Sequence, residues 1–107
     1  MKNKKSLDEI YDFVYNVSHL EESDIVKKGL KLNEEVGELS AEILKLVKYK
    51  HTTDSSERIR EHLLEEAMDT IIMVFDILVK QGYTKEEMIK MGEKKINKWL
   101  DLINNKI

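Results

Sequence analysis

Between Leu32 and Leu46 the apolar residues fall at steps of four and three: Leu32, Val36, Leu39, Ile43, Leu46. That spacing brackets 3.6 and lays one apolar stripe along a helix, whereas a half-buried strand would need alternate residues. No proline interrupts this segment or any other, and Leu, Lys, Glu, Ile and Met dominate the chain. Together these features predict helices throughout.

Four helices are expected. The first opens on Ser6-Leu7-Asp8-Glu9, a capping-box pattern. Leu7, Ile10, Tyr11, Val14 and Val17 line its inner side, and it ends between His19 and Asp24. The second runs from about Ile25 to Tyr49. The polar stretch HTTDSSE, following Lys50, separates it from a third, which starts near Ser56 and stops at Gly82. Glycine is the usual residue just past a helix end. The second half of this helix, AMDTIIMVFDILV, is apolar almost all round, which predicts the most buried element. Thr84-Lys85-Glu86-Glu87 is a second capping box and opens the fourth helix. Its expected inner face is Met88, Ile89, Ile96, Trp99, Leu100 and Ile103.

The fold class that follows is all-α: one domain over residues 1–107, built as an up-and-down four-helix bundle with short loops. A chain of 107 residues buries only roughly 65% of its unfolded surface, so assembly at least as a dimer is expected. Without cysteine the chain has no disulfide framework, no thiolate metal site and no thiol nucleophile. The basic start MKNKKSLDEI lacks an apolar core, and the longest apolar run, Ile71 to Phe75, is far short of a bilayer's thickness. A cytoplasmic protein with no membrane partner is expected. A net charge of −3 argues against nucleic acid as a partner.

The chemistry concentrates in KLNEEVGELSAEILK, Lys31 to Lys45. Glu34, Glu35, Glu38 and Glu42 stand three or four residues apart, where like charges destabilise a helix by about 0.2–0.5 kcal/mol per pair. Glu35, Glu38 and Glu42 lie beside the apolar stripe, so desolvation adds to that cost. Gly37, in their midst, costs about 1 kcal/mol more than alanine would. A cation would offset the repulsion, and the glycine would let a helix or ligand come close. On the third helix Glu66 and Asp69 sit three apart at the entrance to the apolar run, with Asp76 two turns further on in support. Two antiparallel helices would then face two pairs of carboxylates toward each other. Hard oxygen donors of that kind suit Mg²⁺ or Mn²⁺. EExxE or ExxD alone is common on solvated helix faces; it is their pairing on adjacent helices that points to a metal site.

With these residues the chain resembles the MazG-type all-α nucleoside triphosphate pyrophosphohydrolases, whose signature is EExxE, a variable gap, then ExxD. Here it reads Glu34-Glu35-x-x-Glu38, 27 intervening residues, and Glu66-x-x-Asp69. The resemblance spans nearly the whole chain and implies hydrolysis of an NTP or dNTP to the monophosphate and pyrophosphate, with house-cleaning of the nucleotide pool as one role. It implies that Glu35, Glu38, Glu66 and Asp69 hold Mg²⁺, and that Glu34 orients or deprotonates the attacking water. Lys31 matches a lysine often found one turn before the motif and becomes a phosphate contact. Lys95 and Asn97, in EKKINKW, stand where the family carries lysine and asparagine, though the arginine that follows there is missing. The resemblance also implies a homodimer or homotetramer with the active site near the interface.

Phosphoribosyl-ATP pyrophosphohydrolase has a similar acidic core, but its proline- and SYT-containing N-terminal stretch and arginine-rich end are absent. A non-catalytic helical dimerisation protein is the other alternative. Tyr11, Tyr15 and Trp99 at their spacing fit packing better than base stacking. Lys45, Lys48 and Lys50 complement a helix dipole, and Met68, Met73, Met88 and Met91 fill a core. His19, His51 and His62 make no Glu-x-x-His motif, and no HExxH, GxSxG or P-loop is present.

Overall fold

The computed structural model describes residues 7–22, 24–48 and 51–105. They form four helices and, among themselves, no strand: α1 (Leu7–Ser18), α2 (Ile25–Leu46), α3 (Ser56–Lys80) and α4 (Lys85–Asn104). The capping box expected at Ser6 and the helix end expected at Tyr49 lie outside the described residues. α2 ends at Leu46, and its C-cap, Val47, precedes Lys48 at φ 62°.

Each remaining start has a local cause. Asp24 caps α2 by accepting from the Val26 amide at 2.8 Å, and Ser55 caps α3 by accepting from the Arg58 amide. At Thr84 both arms of the expected box form: the Glu87 amide donates to the Thr84 hydroxyl, and the Thr84 amide donates to the Glu87 carboxylate. Gly82 takes φ 85°, a conformation other residues rarely adopt, and stops α3 after Lys80.

α3 is the central element, with α2 packed along it and α1 against it. The α2–α3 pair is antiparallel, as the opposed residues Lys28 and Asp76, Glu38 and Glu66, and Glu42 and His62 show. α1 meets the C-terminal half of α3, where the Tyr11 ring stands edge-on to Phe75 with centroids 5.4 Å apart. Among the described residues, Tyr11, Val14, Ile59 and Val79 are the buried apolar ones.

α4 departs from the expected bundle. Among the described residues, no Cα of α4 comes within 8 Å of a Cα of another helix. Its start is tied back: Lys85 pairs with Asp8 and Asp12 and lies over the Tyr11 ring, and half-buried Met88, with Met91, lines a cleft shared with Phe75 and Leu78 of α3. Ile89, Ile96, Trp99, Leu100 and Ile103, expected to face inward, are exposed. The radius of gyration, 16.8 Å, exceeds the ~13 Å of a compact chain of this length for the same reason. The gap also explains a second departure. Ile71, Ile72 and Val74 of α3 are exposed rather than deeply buried, because two helices flank α3 where a bundle would supply three.

Candidate metal centre and adjoining cleft

α2 and α3 run antiparallel, so residues spaced three and four apart on one meet the same spacing on the other. Carboxylate oxygens of Glu35, Glu38 and Glu66 thereby come within 4.8 Å of one another. Glu35 is 7% exposed, and Glu66 is half-buried. Glu35 Oε2 and Glu66 Oε2 are buried oxygens with no hydrogen-bond partner. An unsatisfied buried carboxylate oxygen is costly, and two of them converging need either a cation or a proton. Of the group, Glu66 is the acid whose hold on a proton is strengthened. Its hydrogen bond with Glu38, its burial and the charges of Glu38, Glu35 and Asp69 raise its pKa from 4.5 to about 7.

Three hard oxygen donors, exposed Glu38 with the buried, unpartnered oxygens of Glu35 and Glu66, are a fitting set for a divalent cation such as Mg²⁺ or Mn²⁺. Asp69 stands at the margin of this group. It is exposed and outside the close triad, but its charge acts on Glu66, and it lines the same cleft as Glu35. Lys31 reaches Glu35 Oε1 at 3.3 Å and Glu34 Oε1 at 3.8 Å. Its hydrogen bond to Glu35 and the two glutamates' charges raise its pKa. The Glu34 side chain is 66% exposed and turned to Lys31, outside the triad. Lys95 and Asn97 are exposed on α4, which this chain does not bring to the acids.

The cleft beside the triad encloses about 620 Å³. Glu35 and Asp69 form one part of its lining, and Phe13, Val17, Ile72 and Met73 supply apolar walls. A second ionic cluster, absent from the sequence reading, closes it. Buried Asp76 accepts from the Ser18 hydroxyl at 2.6 Å and pairs with Lys28 and Lys80. Asp76 is therefore committed to this cluster rather than supporting the triad. Burial pushes its pKa up, but hydrogen bonds from Lys28 and Ser18 and the lysine charges hold it lower than usual. Lys28 is the mirror case: burial lowers its pKa, and contacts with Asp76 and Glu21 more than reverse that. Lys80 also donates to the Ser18 and Glu21 carbonyls at 2.7 and 2.8 Å, capping the free carbonyl end of α1. Ser18 and Asp76 lie 58 residues apart, so no local pattern marks their meeting.

One turn beyond the triad, Glu42 is buried. Its Oε2 accepts from Lys45 at 3.2 Å, while its Oε1 makes no hydrogen bond and lies 3.9 Å from His62 Nδ1. Lys45 thus neutralises a buried acid besides standing in the last turn of α2. Gly37 has nothing within 4 Å of where a Cβ would sit, so no helix of this chain makes use of the space it leaves. Among the described residues no helix is long and apolar enough to cross a membrane. No protein-family model matches the chain, and no curated protein or solved structure matches it either.

Proposed function

We propose that this chain is a Mg²⁺-dependent nucleoside triphosphate pyrophosphohydrolase, converting an NTP or dNTP and water to the monophosphate and pyrophosphate. The observation that carries the reading is the convergence of Glu35, Glu38 and Glu66, with two buried and unpartnered oxygens, beside a cleft with apolar walls. Triphosphate is the substrate class that asks for this combination. Its charge calls for a cation held by carboxylates, and its nucleoside calls for an adjoining apolar space.

Glu35, Glu38 and Glu66 would hold the cation, with Asp69 completing the set from the margin. Mn²⁺ is a suitable replacement for Mg²⁺ at an all-oxygen site. The bound cation would neutralise phosphate charge and acidify water in its reach. Lys31, one turn before the triad, would leave Glu35 for a phosphate oxygen. Glu34, exposed and unburdened by the cation, would accept the proton of the attacking water. The cleft between α1 and α3 would take the nucleoside. Lys95 and Asn97 would contact phosphate only if supplied by a second copy.

The test is pyrophosphate release across a panel of NTPs and dNTPs with millimolar Mg²⁺, with Glu38→Gln and Asp69→Asn as controls. Release by the wild type and its loss in both folded variants is expected. Wild-type rates in Glu38→Gln would sink the assignment. Melting with and without Mg²⁺ separates the enzyme from a non-catalytic helical protein, since only a true cation site raises the melting temperature.

A further inference from the structure

We propose that Lys28 reads the far edge of the nucleobase by donating to its exocyclic carbonyl, so that the site prefers keto bases (uracil, thymine, guanine, hypoxanthine) to the amino bases cytosine and adenine. This deepens the proposed function and rests on it, since that reading puts the phosphates at the acid triad and the nucleoside in the cleft.

The cleft is polar at two ends and apolar between them. Glu35 and Asp69 line one end, and Lys28 and Asp76 line the other. Lys28 stands seven residues before Glu35 on α2, and Asp76 seven residues after Asp69 on α3. Seven residues are close to two full turns, so each pair shares a helix face and is separated by about 10 Å along the axis. Because α2 and α3 are antiparallel, both steps run the same way along the cleft. They match the reach of a nucleoside from its 5′-phosphate to the base edge opposite the sugar. Phe13, Val14 and Val17 of α1 and Ile72 and Met73 of α3 line the stretch between, which suits the faces of a base.

The far end then selects the edge. The Lys28 side chain is only 13% exposed. Its ammonium carries three N–H donors and no acceptor. Asp76 and Glu21 take two of them, and in the described chain the third has no acceptor. A sheltered donor left unmet is costly, and a carbonyl oxygen on the base would meet it. An exocyclic amino group would instead set N–H against N–H. Asp76 offers such a group little, since its Oδ1 accepts from Ser18 and lies 3.6 Å from Lys80, while its Oδ2 pairs with Lys28. Burying an ion pair adds little stability over well-packed apolar residues, so its place in a cleft wall asks for another use. Held by carboxylates from α1 and α3, the Lys28 ammonium is fixed before a ligand arrives, which lowers the cost of binding.

Two nucleotide pairs probe that edge without altering the protein. UTP and CTP, like ITP and ATP, differ only in the carbonyl or amino group there and in the proton on the adjoining ring nitrogen. Their α,β-methylene analogues, with carbon in place of the oxygen between the phosphates that hydrolysis parts, are titrated by calorimetry into the wild-type chain in millimolar Mg²⁺. The keto member of each pair is expected to bind about tenfold tighter or more, the scale of one hydrogen bond from a charged donor. Lys28→Met, with its helices checked by circular dichroism, is expected to level both pairs. Should that variant fail to fold, the two pairs on the wild type decide alone. Equal affinities within either pair, a preference for the amino member, or a keto preference that survives in folded Lys28→Met overturns the proposal. Pyrophosphate release from the four unmodified nucleotides tests the underlying reading separately. Release at equal efficiency from all four keeps the hydrolase and removes the base preference. Keto-selective binding without release from any keeps the preference and removes the hydrolase. Binding of none of the analogues overturns both.

Discussion

The α2–α3 seam and α4 are equally well-formed helices by local criteria, and they differ in what they hide. The seam buries charge: Glu35, Glu42 and Asp76 are all sheltered, and three of its carboxylate oxygens make no hydrogen bond. α4 does the reverse and leaves isoleucine, leucine and tryptophan in water. Both arrangements cost free energy in an isolated chain, since buried charge wants a counter-charge and exposed apolar surface wants cover. Each region is thus left incomplete. The seam could hold a cation, and α4 leaves an apolar face uncovered.

The largest effect expected is on catalysis. Glu38→Gln or Glu66→Gln should lower pyrophosphate release on the order of a thousandfold, as loss of a central electrostatic group does. Circular dichroism should show the helices intact. If the variants fail by unfolding instead, the seam is held by its acids and the contrast with α4 collapses.

Asp76→Ala should cost about 3 kcal/mol, because it leaves Lys28 buried without its main partner. Urea unfolding measures this. A loss under 1 kcal/mol would mean that Glu21 suffices for Lys28.

The two acids also predict opposite responses to pH. Glu66 has its folded pKa raised to about 7 from 4.5, so metal-free folded protein holds a proton that the unfolded chain has released. Stability should therefore fall as pH rises from about 4.5 to about 7, with this group contributing no further change outside that window. Millimolar Mg²⁺ should oppose the fall, and Glu66→Gln should remove it. Asp76, whose folded pKa is lowered, contributes stability above its ordinary carboxylate range and loses it on acidification below that range. Urea midpoints across pH, with chelator and with Mg²⁺, would show both. A midpoint that climbs between 4.5 and 7 in chelator would contradict the shared proton.

Smaller effects compare the helices as helices. Gly37→Ala meets nothing in this chain, so it should stabilise the fold by about 1 kcal/mol. If activity falls while stability rises, the open face of α2 at Gly37 serves the substrate or a second copy. Thr84→Ala removes one arm of a capping box and should cost about 1 kcal/mol or less, seen as fraying of α4 by amide exchange. The same substitution should leave Mg²⁺ binding unchanged. Weakened Mg²⁺ binding would show that α4 supports the seam after all.

Much of the site is already present in the pattern. EExxE and ExxD lie beside apolar stripes on consecutive helices. A short connection makes such helices antiparallel neighbours, so Glu35, Glu38 and Glu66 were bound to converge. Asp69 fits less closely, since a further turn along α3 moves it to the rim where the cleft opens. Lys95 and Asn97 could be related to the site only by resemblance, because their helix packs against neither α2 nor α3, which carry the acids of the site. Phe13 and the cluster of Ser18, Lys28, Asp76 and Lys80 leave no trace in the sequence. They depend on how α1 crosses α3, and a crossing angle has no periodicity to betray it.

Local order in this protein is written in its residues one turn at a time. Capping side chains, apolar spacing and Gly82 act within a few residues of themselves, and they set the four helices and the order of the acids. What lies between helices has a different origin. The raised pKa of Glu66, the closure of the cleft by Asp76 and the separation of α4 all arise from contacts across tens of residues, or from the lack of them. Charge burial and packing are properties of those contacts. They come into being only when the helices meet.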